Sequence, residues 1–216
     1  VLNEPRGGVF RHVNLLVPPV HPDADVGFIV MEPQHTPPMS GSNSICVATV
    51  VAETGVVRTT DGDNRIVMQA TVTMHAGKAT RVRMQNVPSF AGVRGATLEV
   101  PGVGTLTVDT AYGGDTFVVV DPAALGVTLE PSSARTLAQL GTAVTAAAGA
   151  QMPFEHPSLP DWRHYSFCLF ASPPTRTEGG LTARHAVSIE PGKIDRSPTG
   201  TAVSARLALL TADSVL

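Results

Sequence analysis

The chain has 216 residues, 43 % of them hydrophobic and 15 % charged, a balance that fills a sizeable core and is unlike that of a disordered chain. A formal net charge of -3, with 15 Lys and Arg and no basic block, argues against nucleic acid or an anionic membrane surface as partner and for a small-molecule ligand. No apolar run approaches the roughly 18 residues of a membrane-spanning helix, no signal-peptide pattern opens the chain, and Cys46 and Cys168 form neither a CxxC pair nor a disulfide framework, so a cytoplasmic protein is expected.

In chain order, Phe28-Ile29-Val30-Met31 reads as a short buried strand stopped by Glu32-Pro33, since proline brings no N–H to a ladder. After a proline-rich loop, Ser42 or Ser44 is expected to cap a helix from Ile45 to about Thr54, with Ile45, Ala48, Val51 and Ala52 facing inward and Gly55 as its stop. From Asn64 to Val120 the pattern turns to β, in runs at Val67 to Met74, Thr80 to Met84, Ala96 to Val100, Thr105 to Thr110 and Thr116 to Val120, which predicts a mostly antiparallel sheet. Pro122 to Gly126 reads as a turn and Ser132 to Gly149 as a helix. Strands follow at Tyr165 to Phe170 and Ala186 to Ile189, with a loop from Ser172 to Gly180 between them, and then a helix at Ser204 to Ala212.

One phrase occurs twice. Glu32-Pro33 leads to Ser40-Gly41-Ser42 and an apolar run, and Glu190-Pro191 leads to Thr199-Gly200-Thr201 and another. A single turn of this kind is most simply a helix cap. Two of them suggest two half-sites, because backbone N–H groups at a helix start grip a carboxylate without basic side chains, and glycine admits the ligand to the backbone. The expected division is a first half of residues 1–125 with the Ser40 turn and a second half of 126–216 with the Thr199 turn. The chain opens without methionine and stops straight after a helical pattern, so it is expected to be part of a longer protein, truncated at both ends.

The segment from Met31-Glu32-Pro33 through Pro37-Pro38-Met39-Ser40-Gly41-Ser42-Asn43-Ser44-Ile45, with Asp195-Arg196-Ser197-Pro198-Thr199-Gly200-Thr201 and Ser204-Ala205-Arg206, closely resembles the proline racemase family, which includes hydroxyproline epimerases and trans-3-hydroxy-L-proline dehydratases. Glu4-Pro5-Arg6-Gly7, Asn86-Val87-Pro88-Ser89-Phe90, Asp109 with Ala111-Tyr112-Gly113-Gly114, and His156-Pro157 add to it in the family's order. The resemblance implies an α+β fold of two pseudo-symmetric, diaminopimelate epimerase-like halves, each a mostly antiparallel sheet wrapped around a central helix, with the site in the cleft between them. It also implies an enzyme without cofactors that acts as a homodimer on a small imino acid. Racemases and epimerases of the family carry a cysteine at each turn, at the positions of Ser40 and Thr199 here. Gly41, Ser42, Gly200 and Thr201 would hold the substrate carboxylate, Asp195 the ring nitrogen, and Phe90 an apolar wall.

Threonine at the second position resembles the dehydratases, in which loss of a neighbouring hydroxyl replaces reprotonation. The implied activity is dehydration of trans-3-hydroxy-L-proline or a close analogue to a pyrroline-2-carboxylate, with Ser40 on the proton-abstracting side. Epimerisation of 4-hydroxyproline or proline is the alternative, and a proline-analogue binding protein with little turnover is a third. A serine hydroxyl is a far weaker acid than a thiol of pKa roughly 8.5, so Ser40, a water and Asp195 all stand as candidates for the base. Ser42 stands where histidine is common in the family, and Ala202 where glycine is.

Other residues read more plainly. Cys46, between Ile45 and Val47, is expected to pack in the core, and the scattered histidines, His35, His156, His164 and His185 among them, show no metal-ligand spacing. Asp61-Gly62-Asp63-Asn64 lacks the later ligands of a calcium loop and reads as a solvated turn. Gly102-Val103-Gly104 lacks the third glycine of a dinucleotide fingerprint. Glu155 and Asp161 are expected to be surface charges.

Overall fold

The computed structural model describes residues 8, 11–33, 35–66 and 70–216. The Glu4 to Gly7 motif and the start of the expected Val67 strand lie outside the described residues. The chain divides into two units, Val1–Val87 and Pro88–Leu216.

In the first unit, β1 (Val13–Val17) pairs antiparallel with β2 (Gly27–Met31), and α1 (Gly41–Glu53) follows. Then β3 (Gly62–Ile66), β4 (Ala70–His75) and β5 (Lys78–Met84) form an antiparallel three-stranded sheet. Val47, Ala48, Val51 and Ala52 of α1 lie against Ile66, Ala70, Val72 and Met74 of that sheet. The buried stripe of α1 recurs at i and i+4, as Asn43, Val47 and Val51 beside Ser44, Ala48 and Ala52. Ile45 and Cys46 fall on the opposite side and are exposed, correcting the expectation that both face the core. The expected turn at Asp61 to Asn64 lies mostly within β3, where Asn64 Nδ2 donates to the Thr60 carbonyl at 2.6 Å and the Gly62 carbonyl at 2.9 Å.

The second unit contains β6 (Phe90–Ala91), β7 (Ala96–Val100), β8 (Gly104–Tyr112), β9 (Thr116–Val120), α2 (Ala134–Gln151), β10 (Phe167–Ala171), the hairpin β11 (Thr175–Thr177) and β12 (Gly180–Thr182), β13 (His185–Ile189), β14 (Lys193–Ile194) and α3 (Gly200–Ala212). Its seven-stranded sheet runs β14-β13-β10-β9-β8-β6, with β7 beside β8. All pairs are antiparallel except β9 with β10, which α2 joins as a parallel crossover.

The side-chain period of two divides this sheet between its helices. Val118, Val120, Cys168 and Phe170 face a core shared with Leu137, Val144 and Ala148 of α2. Phe117, Val119, Phe167 and Leu169 face one shared with Ala202, Ala205 and Leu209 of α3. The sheet is therefore covered on both faces, which is why all five residues of β9 and of β10 are buried. The boundary expected at 125/126 would cut this crossover, whereas the units part at Val87/Pro88, because β8 and β9 pair into the sheet that contains β10.

Candidate functional site

Both repeated turns are helix N-termini, yet neither hydroxyl caps its helix. Ser40 is the N-cap residue of α1, in place of the expected Ser42 or Ser44, and Thr199 is the N-cap residue of α3; neither makes a side-chain cap hydrogen bond. Their carbonyls do open the helices, accepting from Ser44 N–H and Val203 N–H at 2.9 Å each. The two helices therefore begin at Gly41 and Gly200, four residues earlier than the periodicity suggests, because the first turns are too polar to show it.

In the first unit, Asn43 is 6 % exposed and its amide organises the turn. Asn43 Nδ2 donates to Ser40 Oγ at 2.8 Å and to Glu32 Oε1 at 3.3 Å and stands 3.1 Å from His12 Nδ1, while Asn43 Oδ1 accepts from Asn14 Nδ2 at 3.1 Å. Glu32 Oε1 is in turn 3.4 Å from His12 Nδ1. Strands β1 and β2 thus deliver polar groups to the foot of α1. Ser40 Oγ receives a proton-donating amide, which makes its own O–H a better donor. His35 enters through its backbone, its carbonyl accepting from Glu32 N–H at 3.1 Å.

In the second unit, Thr199 has φ 49° and ψ 46°, the left-handed region, at a cost of about 1–2 kcal/mol for a residue with a Cβ. Asp195 holds the turn in this shape: its Oδ1 accepts from Ser197 N–H and its Oδ2 from Ser197 Oγ, both at 2.8 Å, and Ser197 Oγ accepts from Thr199 N–H at 3.1 Å. Thr199 Oγ1 is 2.7 Å from His185 Nε2, at the start of β13. Burial, and after it the positive charge of Arg206 on α3, hold His185 below the usual imidazole range. The backbone of α3 rests on Gly113, where an added Cβ would stand 2.6 Å from Ala205 N and closer still to the Thr201 carbonyl oxygen.

Phe90 is half-buried, on a strand that packs against α3. Its ring stacks on Tyr112 with centroids 5.2 Å apart and meets the His156 edge at 5.4 Å. Burial, with the charge of Asp115, pushes the Tyr112 phenol up to about 12, so it stays protonated in this apolar wall. His156 is lowered by burial, and its Nδ1 accepts from the N–H groups of Ser158 and Leu159 at 3.1 Å each, which favours the neutral ring.

Gly41 and Gly200 lack a packing reason: neither has a positive φ, and a Cβ on either would meet no atom within 4 Å among the described residues. The open space over each glycine leaves the helix N-terminus accessible to close approach by a ligand. Gly200→Ala is expected to leave stability within about 1 kcal/mol of the parent or above it. It should raise KM about tenfold, roughly 1.4 kcal/mol of binding. Thermal melts and initial rates check both, and an unchanged KM would remove Gly200 from the site.

The structure thus gathers Ser40, Gly41 and Ser42 at the start of α1, and Asp195, Thr199, Gly200 and Thr201 at the start of α3. The roles of Asn43, His12 and His185 escaped sequence reasoning. Asn43 alone left a signal, standing one helical turn beyond Ser40. Of the two thiols, Cys46 is exposed on α1, and burial pushes that of Cys168 up. Glu155 pairs with Arg163 at 3.6 Å on the surface, a contact worth little. No group of three or more potential metal ligands, and no helix long and apolar enough to cross a membrane, occurs among the described residues.

Comparison with known proteins gives a match to the family model for proline racemase over residues 1–216. A probable proline racemase from Agrobacterium radiobacter, solved with bound carbonate, superposes with a TM-score of 0.88 at 34 % identity, covering 99 % of this chain and 64 % of that one. A hydroxyproline epimerase from Agrobacterium vitis, solved with bound trans-4-hydroxy-L-proline, gives 0.88 at 32 % identity, covering 99 % of this chain and 62 % of that one. The chain therefore spans less than two thirds of the length of either relative.

Proposed function

Because this chain belongs to the proline racemase family, we propose that it takes part in dehydrating trans-3-hydroxy-L-proline or a close 3-hydroxylated analogue, by removing the α-proton and expelling the 3-hydroxyl. The observation that carries this reading is that each turn presents a hydroxyl, Ser40 or Thr199, that is not used to cap its helix. Inversion requires an acid able to return a proton to the opposite face. A hydroxyl is a far poorer acid than a thiol of pKa roughly 8.5. A carbanion left unprotonated beside a carbon bearing a hydroxyl loses that hydroxyl, and the resulting enamine tautomerises to a pyrroline-2-carboxylate.

In this reading the first-turn N–H groups of α3, around Gly200 and Thr201, are carboxylate-binding groups, and those of α1, around Gly41 and Ser42, are groups of the same kind in the first unit. Asp195 faces the ring nitrogen with the lone pairs that Ser197 leaves unused, and Phe90 offers the ring an apolar surface. The protein incubated with trans-3-hydroxy-L-proline should yield an imine that colours with o-aminobenzaldehyde. Absence of imine at high enzyme loading would sink the reading.

The relative solved with trans-4-hydroxy-L-proline favours a second reading, epimerisation at C2 of 4-hydroxyproline. One proton NMR run in heavy water separates the two, because an epimerase gives α-deuterated, inverted 4-hydroxyproline and no imine. Tight binding of pyrrole-2-carboxylate with neither outcome would leave a binding protein.

A further inference from the structure

We infer that Thr199 and His185 form the proton-abstracting pair: Thr199 Oγ takes the α-proton of the imino acid while its own proton passes to His185 Nε2. This inference rests on the reading that the site works at the α-carbon of a proline-like substrate, and it puts the base on the Thr199 side in place of the Ser40 side that the family resemblance implies.

The two turns differ in what their hydroxyls touch. Ser40 Oγ accepts from the Asn43 amide, and an amide N–H cannot take a proton from serine. Thr199 Oγ1 instead lies 2.7 Å from an imidazole nitrogen, which accepts a proton when His185 is the Nδ1–H tautomer. A hydroxyl beside a neutral imidazole is the arrangement that makes a weak nucleophile or base competent. Thr199 is also turned away from capping α3 and held in a left-handed conformation by the Asp195 and Ser197 bonds, so the hydroxyl keeps this direction.

The surroundings keep the imidazole ready to accept. Burial and Arg206 both disfavour its protonated form. Arg206 is itself half-buried, donates from Nη2 to the Ser172 carbonyl at 3.2 Å, and feels Asp109 and Asp121. Of the other charges on neighbouring elements, Arg184 binds Glu130 at 2.8 Å, Arg135 of α2 is exposed, and Lys193 of β14 stands in register with Ile189 at the far end of β13. On β10 the only titratable group is the buried Cys168.

The step balances with one proton. The C–H electron pair becomes the C2=C3 bond as the C3–O bond breaks. The proton, held as imidazolium, returns through Thr199 Oγ to the departing hydroxyl and leaves as water. In trans-3-hydroxy-L-proline the carboxylate and hydroxyl lie on opposite ring faces, so the α-hydrogen and the hydroxyl share one face. A single relay therefore serves both ends of the elimination, with no acid needed on the other side.

The test is α-proton removal, read as imine formed or as deuterium taken up at the α-carbon, across pH. The wild type should show an acid limb in kcat/KM with a pKa below about 6.5, the ordinary histidine value, because activity needs His185 neutral and its pKa is lowered. His185→Gln, which fills the site but takes no proton, should lose about 10²–10⁴-fold in kcat with KM changed less than about threefold, and should lose the acid limb. A variant that keeps its rate and its limb overturns the inference while imine formation by the wild type leaves the dehydratase reading standing. Should His185→Gln not fold, the wild-type profile decides, since a flat acid side overturns the inference equally. A wild type that neither forms imine nor exchanges the α-proton overturns both.

Discussion

Thr199→Val should lower kcat/KM by about 10²–10⁴-fold, the range for loss of a positioned proton-transfer group. Valine keeps the branch and the left-handed strain of Thr199, so the backbone of the turn has no reason to move. What it loses is the proton path to His185 Nε2, 2.7 Å away in the parent. Ser40→Ala should do much less, about tenfold, the worth of one hydrogen bond to substrate. It should also leave stability nearly unchanged, since Ser40 does not cap α1 and the Asn43 amide retains Glu32 and His12 beside it. Steady-state rates and thermal melts of the two variants measure the asymmetry. Equal losses would mean that both hydroxyls move protons, which a one-sided relay forbids.

Gly113→Ala should cost about 3 kcal/mol, the upper end of overpacking penalties. The new methyl would meet the Thr201 carbonyl and, at 2.6 Å, Ala205 N. Both are backbone atoms of α3, so no side chain can swing away to make room. Tm should fall by roughly 6–12 °C, taking about 2–4 °C per kcal/mol for a chain of this size. Activity should fall with it even well below the melt, because relief of the clash moves the helix that starts at Gly200. A Gly113→Ala protein with the parent's Tm would show that α3 does not rest on this glycine.

The repeated turns were legible in the sequence because hydroxyl and glycine residues at a helix start leave a local pattern, and the strands from Ala96 to Val120 were legible as short runs punctuated by glycine and proline. The unit boundary was not, since it depends on which strand β9 pairs with, and β10 lies beyond an 18-residue helix. The same limit hid His185, which reaches Thr199 across 14 positions of chain that include β13 and β14. Cys46 was misplaced for a local reason: two apolar neighbours suggest burial, but the 3.6-residue period places Val47 inward and Cys46 outward.

The methyl group of Thr199 has its own consequence. Serine would supply the same hydroxyl, so the branch adds nothing to the acid–base chemistry. A β-branched side chain, however, has few χ1 wells to sample. Together with a fixed left-handed backbone, that narrows the rotation of the hydroxyl before any substrate arrives, and less ordering is left for the moment of proton transfer. Thr199→Ser should therefore differ from the parent mainly in the activation entropy of turnover rather than in its pH profile.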